Sequence, residues 1–257
     1  MGINPRSWLK SFEKSGYVII EAENMLPLIE SRRKIAEFLR SEYNIIDPDD
    51  ENLLNTIHDH IDLDDAAANR MVISTISYYA KHLDMSKVIF SACQSFLTSI
   101  LGPDIASQKN PNIVFQYPLS SRYSEVHTDA PANSRYEIVA WAPLVNCYGT
   151  KSFFIVDHEA SISLLHRYGS ENEFSSWEAF KEEVISSSIS LEIGFGSILF
   201  FSTSLLHGSV VNSTNESRWS LNTRFKSLFA PCGLKDPFSF YKVFRRSSLT
   251  TLALRSQ

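Results

Sequence analysis

Ser121-Arg122-Tyr123-Ser124-Glu125-Val126-His127-Thr128-Asp129 is the stretch from which the fold can be argued. A histidine and an aspartate two residues apart point to the same side only where the backbone is extended, because strand side chains repeat with period two. In that conformation an imidazole and a carboxylate can share one metal ion, provided a third ligand arrives from another strand. His207, in Leu205-Leu206-His207-Gly208-Ser209, follows the apolar run Ile198-Leu199-Phe200-Phe201 and is the candidate. Two histidines and one carboxylate on one face leave positions open and suit non-haem Fe(II). Each element is weak alone. His-x-Asp arises often by chance, and a histidine beside glycine at a strand start reads equally as a hydrogen-bonded loop residue.

A third element strengthens the set. Arg218-Trp219-Ser220 follows His207 by eleven residues. That spacing predicts one strand out from His207, a turn over Ser213 to Ser217, and one strand back, which returns a guanidinium towards the metal. A planar, permanently charged fork suits a carboxylate-bearing co-substrate. Ser220 has the strand parity of Arg218 and can give a second hydrogen bond. Gln116, on the strand before the His-x-Asp loop, is a candidate for the same pocket, with ordinary strand packing as its other reading. Arg224 shares the face of Arg218 if the strand is regular, and reads as a contact to an anionic substrate or as a surface ion pair. Arg122, Tyr123 and Arg135 flank the metal loop and are further candidates for substrate contact. Trp141 reads as core, and His158 and His166 as surface residues.

Working outward, the chain divides into a helical first part and a strand-rich second part. Ser15 to Ile20 predicts a short strand; Leu26 to Tyr43, Asp49 to His60, Asp65 to His82 and Ser86 to Leu101 predict helices. Asp64 or Asp65, and Asp84 or Ser86, can cap the last two, and Gly102-Pro103 stops the second of them. After Pro111 come short β-prone runs: Asn112 to Tyr117, Tyr136 to Val145, Ser152 to Val156, Ile189 to Ile193, Ser197 to Phe201, His207 to Asn212 and Arg218 to Leu228. A helical insertion, Ser176 to Ser187, interrupts them. This is the texture of a sandwich or barrel. The expected organisation is one domain, with 1–110 a mostly helical outer part, 111–231 the β core and 232–257 a C-terminal extension whose residues from Pro237 read as a helix.

The formal charge of −5, with no basic stripe, argues against a nucleic-acid partner. No apolar run reaches the length of a membrane span. Three scattered cysteines, Cys93, Cys147 and Cys232, read as free thiols in a reducing compartment. With no signal-peptide core at Met1 to Lys14, the cytoplasm is the default expectation. The partner expected is a small molecule; the sequence leaves the oligomeric state open.

His58-Asp59-His60, followed by Asp62, Asp64 and Asp65, is a rival metal cluster. On a helix, residues two apart lie about 200° apart around the axis, so these histidines diverge. The run therefore reads as a solvated helix face. A serine hydrolase lacks its Gly-x-Ser-x-Gly elbow here. Gly194-x-Gly196 stands before a strand and not a helix, unlike a phosphate loop.

With these residues in view, the chain resembles the phytanoyl-CoA hydroxylase-like branch of the Fe(II)- and 2-oxoglutarate-dependent oxygenases. The resemblance is carried by Phe12 to Ile20, His127-Thr-Asp129, Trp141-Ala-Pro-Leu144, Gly196 before an apolar strand, His207-Gly-Ser209 with Asn212, and Arg218-x-Ser220. More narrowly, His127 to Pro231 is similar to oxygenases of bacterial carbohydrate and surface-polysaccharide clusters. The resemblance implies a double-stranded β-helix (a cupin-like jelly roll) with N-terminal and flanking helices. It implies Fe(II) on His127, Asp129 and His207, 2-oxoglutarate on Arg218 and Ser220, and O2 as oxidant. It implies a small polar substrate such as a sugar or sugar-nucleotide. The presence of Asp129 favours hydroxylation over halogenation, with desaturation, epimerisation and ring formation open. One departure is Val156-Asp-His-Glu159, where the family often has Gly-Ser-His. Two other readings stand beside this one: a cupin-like metal-dependent sugar isomerase that uses no O2 and needs no carboxylate clamp at Arg218, and a non-catalytic jelly-roll binding protein.

Overall fold

The computed structural model describes residues 5–170 and 173–255. Its first half runs α1 (Pro5–Ser15), β1 (Tyr17–Glu21), α2 (Leu26–Tyr43), α3 (Asp50–His60), α4 (Asp65–His82), α5 (Met85–Ala92) and α6 (Gln94–Leu101). Side-chain caps set several of the starts. Asp49, Asp64 and Asp84 accept from the first-turn amides of α3, α4 and α5, satisfying donors that have no partner within the helix. The sequence predicts one helix from Ser86 to Leu101, and the structure breaks it at Cys93. The break has a tertiary cause. The Glu23 amide takes the Ala92 carbonyl at 2.7 Å, and the Glu23 carboxylate accepts from the Ser95 amide at 3.0 Å and its hydroxyl at 2.9 Å.

The second half runs β2 (Ile105–Gln108), β3 (Asn112–Gln116), β4 (Glu137–Pro143), β5 (Phe154–Ile155), α7 (His158–Gly169), α8 (Trp177–Ser186), β6 (Ile189–Ser190), β7 (Ser197–Ser202), β8 (His207–Gly208) and β9 (Arg218–Ser227). It ends with α9 (Pro237–Phe240), β10 (Tyr241–Arg245) and α10 (Ser248–Arg255). The residues from Pro237 are thus not one helix: β10 adds an edge strand on β2. The larger sheet has the order β1-β7-β4-β9-β2-β10, and β3 also pairs with β9. The smaller sheet is β6-β5-β8. All pairings are antiparallel. Two antiparallel sheets wound from one chain, with helices outside, make a double-stranded β-helix.

The strand β9 shows how sequence makes the layers. Trp219, Leu221 and Phe225 are fully buried and belong to one apolar cluster with Leu28, Ile35 and Leu39 of α2 and Leu53, Leu54 and Ile57 of α3. Trp219 also packs on Phe115, ring centroids 4.4 Å apart. Arg218, Ser220, Asn222 and Arg224 alternate with them and face the other way. A polar strand face normally meets water. Here Arg218 is 4% exposed and Ser220 is fully buried, because the smaller sheet lies over them. A second cluster, Val126, Phe154, Val156, Leu164, Phe180, Val184 and Leu206, fills the space between the smaller sheet and α7 and α8. Among the described residues no helix is long and apolar enough to cross a membrane.

Candidate metal centre

His127 and His207 face each other through a reciprocal backbone pair: each amide donates to the other's carbonyl at 3.0 Å. The pairing is extended the other way by the Ser209 amide on the Ser124 carbonyl at 2.8 Å and the Ser124 amide on Ser209 Oγ at 2.9 Å. The His-x-Asp loop is thereby stitched to β8. His127, Asp129 and His207 each offer a ligand atom, all within 4.8 Å of one another, and they form the one such group found among the described residues. Nδ1 of His127 lies 2.8 Å from the Glu125 carbonyl, and Nδ1 of His207 lies 2.9 Å from the Leu205 carbonyl. A carbonyl only accepts, so each Nδ1 carries the proton and each Nε2 is left with a lone pair. Burial, and then the neighbouring His127, push the His207 pKa well below the usual imidazole range against the opposing pull of Asp129. A neutral imidazole is what a metal requires.

Close backbone approach depends on Gly208. A Cβ there would lie 2.8 Å from Phe154 Cζ, 2.8 Å from the Ser124 carbonyl oxygen and 3.1 Å from the Glu125 carbonyl oxygen. Two of those three are backbone and cannot swing aside. Gly208→Ala is therefore expected to cost about 1–3 kcal/mol in denaturant unfolding and to weaken divalent-metal binding, because β8 must retreat from the His127 strand. A wild-type unfolding midpoint and metal affinity in that variant would refute the point.

A cleft of ≈ 110 Å³ opens on these groups, lined by His127, Asp129, His207, Arg218, Asn222, Arg224, Trp141, Phe153 and Phe201 among others. Larger cavities lie elsewhere, one of ≈ 240 Å³ beside Tyr79 and one of ≈ 460 Å³ beside Tyr123 and α8. Donor chemistry, rather than size, selects the cleft.

Arg218 is the unusual residue in it. Its Nη1 donates to the Ser152 carbonyl at 2.8 Å, its Nε has no partner, and among the described residues no carboxylate pairs with it. Burial lowers its pKa. Ser220 Oγ, Gln116 Oε1 and Ser152 Oγ are likewise buried without partners. Gln116 sits opposite Arg218 in the register, with its Nε2 on the Val210 carbonyl at 2.8 Å. Around Arg218, its Nε and the two serine hydroxyls can donate to an anionic group, while Gln116 Oε1 can only accept from a ligand donor.

The route by which Arg218 arrives differs from the hairpin that the spacing predicts. β8 lies in the smaller sheet and β9 in the larger, so residues 209–217 cross between sheets. Asn212 organises the crossing: its Oδ1 accepts from the Thr214 amide and hydroxyl, and its Nδ2 donates to the Glu216 carbonyl at 2.8 Å. Arg218 on β9 and His207 on β8 thus line one cleft from different sheets. Arg224 points into the cleft but is paired, Nη2 to Asp129 Oδ1 at 2.7 Å. Arg122 donates to the Asp65 carbonyl and Asn69 Oδ1 on α4. Tyr123 lines the neighbouring groove, and Arg135 is exposed outside the cleft. In the rival cluster, His58 contacts Ser217 Oγ at 2.8 Å and Asp64 is consumed as a cap. Asn222 and Phe153 are cleft residues that sequence reasoning passed over; the parity of Asn222 with Arg218 was the signal available.

No family model matches the chain, and no curated protein does. Among solved structures, it is similar to the non-heme alpha ketoglutarate dependent carbocyclase SnoK from nogalamycin biosynthesis, at 10% identity and a TM-score of 0.56, over 89% of this chain and 86% of that one. It is similar to AviO1 from Streptomyces viridochromogenes Tue57, at 12% identity and 0.54, over 90% and 98%. It is also similar to HygX from Streptomyces hygroscopicus with nickel and 2-oxoglutarate bound, at 14% identity and 0.54, over 89% and 88%. At these identities the likeness is one of fold.

Proposed function

We propose that the chain is an Fe(II)- and 2-oxoglutarate-dependent oxygenase of the phytanoyl-CoA hydroxylase-like kind, acting in the cytoplasm on a small polar metabolite such as a sugar or sugar-nucleotide. The observation that carries this reading is Arg218, a buried guanidinium with no carboxylate partner among the described residues, in one cleft with two histidines and an aspartate. HygX, on the same fold, holds nickel and 2-oxoglutarate, which supports it. When bound, Fe(II) would activate O2, the oxidant, and 2-oxoglutarate would give two electrons to it in becoming succinate and CO2.

The chain's own residues divide the work. Nε2 of His127, Nε2 of His207 and a carboxylate oxygen of Asp129 hold the ion. Arg218 takes the far carboxylate of 2-oxoglutarate, Ser220 offers a hydroxyl donor beside it, and Gln116, its Nε2 held by the Val210 carbonyl, lines the same pocket. Trp141, Phe153 and Phe201 give the cleft apolar walls that exclude water. Tyr123 and Arg135, outside the cleft on the loop that carries His127 and Asp129, meet whatever part of the substrate projects from it, while Arg122 ties that loop to α4. SnoK is a carbocyclase, so ring formation belongs with hydroxylation among the outcomes to be assayed.

The test is anaerobic titration of Fe(II) into the apoprotein with 2-oxoglutarate present. A weak visible charge-transfer band near roughly 500–530 nm is expected of a chelated 2-oxo acid at a facial triad. It should vanish in His207→Ala. Metal binding without the band would instead favour the cupin-like isomerase reading and leave Arg218 a structural residue.

A further inference from the structure

A carboxylate can bind a metal through one oxygen or through both. The difference matters here, because a six-coordinate ion on two histidines and a one-oxygen aspartate keeps three positions free, two for a 2-oxo acid and one for O2. A second aspartate oxygen would take one of them. Asp129 Oδ1 is already engaged: Arg224 Nη2 donates to it at 2.7 Å and competes with an ion for that oxygen. Both side chains are only 12% exposed, so the pair is shielded from water. Arg224 is held from behind as well. Its Nη1 donates to Gln108 Oε1 at 3.3 Å, and Gln108 Nε2 donates to the Asn110 carbonyl at 2.7 Å, which fixes the amide the right way round. The strand register places Arg224 opposite Val139 of β4, so the guanidinium is aimed by the sheet and not by a mobile loop.

We propose that Arg224 is a positioning residue that occupies one oxygen of Asp129 and so keeps this aspartate a one-oxygen ligand, leaving three metal positions open. The inference rests on the metal assignment above and goes beyond it, since it gives Arg224 a task other than substrate contact. Both of its terminal nitrogens are committed to protein groups, which is the behaviour of a brace, and only its Nε, buried, is left without a partner among the described residues.

Mn(II) is the probe, because it needs no O2 and its bound waters are read by water-proton relaxation. Wild type, Arg224→Met, Arg224→Lys and Gln108→Leu are each loaded with Mn(II), then titrated with 2-oxoglutarate. In Arg224→Met, Asp129 is expected to close onto the ion with both oxygens, removing one exchangeable water. 2-Oxoglutarate affinity should then fall by roughly tenfold or more although Arg218 is intact. Arg224→Lys, which keeps a cation near Oδ1, should recover most of the lost relaxation. Gln108→Leu frees the guanidinium without touching Asp129 and should show the same change in smaller measure. These two variants serve if Arg224→Met does not fold. Wild-type relaxation and 2-oxoglutarate affinity in Arg224→Met, or in Gln108→Leu if Arg224→Met does not fold, would overturn the proposal and leave Arg224 a structural residue. Failure of the wild type to bind Mn(II) at all would overturn the metal assignment and this inference with it.

Discussion

Arg218→Met is expected to make the ligand-free protein more stable and, in the same variant, to remove most of its stabilisation by 2-oxoglutarate. The first effect follows from the cost of burying a charge without a counter-charge. Arg218 is 4% exposed, and among the described residues its Nε has no partner while its Nη1 donates to the Ser152 carbonyl. A methionine of similar reach fills the space without that desolvation cost. The gain is about 1–2 kcal/mol after allowing for the carbonyl left without its donor. For a chain of this size that corresponds to a rise in melting temperature of roughly 2–8 °C. The second effect follows from the lost charge-assisted bond to a carboxylate, about 1.5–3 kcal/mol, so 2-oxoglutarate should bind roughly ten- to a hundredfold more weakly. Thermal melts with metal, with and without 2-oxoglutarate, read both at once. Lysine at this position keeps the charge and loses the fork, and should fail on both counts. A lower melting temperature for Arg218→Met, with the 2-oxoglutarate shift retained, would make Arg218 a structural residue and remove the basis of the proposed function.

The opposed signs of that prediction also indicate what could be read from the sequence. Parity along β9 was legible, because alternation of Arg218, Ser220, Asn222 and Arg224 with Trp219, Leu221 and Phe225 needs only a regular strand. So were the helices at Leu26–Tyr43 and Asp65–His82, whose periodicity is local, as is the Asp64 cap of the second. What stayed hidden depends on partners far away in sequence. Glu23 breaks the helix at Cys93, yet nothing near Cys93 announces it. α7 was missed because Asp157, its cap, stands directly after the apolar run that ends at Val156 and reads as part of that strand's turn. The hairpin expected between His207 and Arg218 became a crossing between sheets, since spacing constrains reach and not which sheet receives the chain. Arg224 is the clearest case: its face followed from parity, but its partner, 95 residues away at Asp129, did not.

That partnership yields the second large effect. Asp129→Ala should abolish 2-oxoglutarate-coupled turnover, since a carboxylate ligand is gone, and should also destabilise the protein without any metal. Arg224 would be left as a nearly buried cation whose remaining hydrogen bond, to Gln108, is long at 3.3 Å, at a cost of roughly 3 kcal/mol. The two losses separate in a double variant. Asp129→Ala with Arg224→Met removes both charges, so most of the stability should return while turnover stays absent, and Arg224→Met alone should be destabilised by the mirror-image loss. The coupling energy from the four denaturation curves measures the pair directly, provided each single change creates no new contact. A coupling near zero would mean that the Asp129–Arg224 ion pair contributes nothing to folding. In that event the pair would matter only when a metal is present, and the cycle repeated with Mn(II) bound would have to carry the whole of its energy.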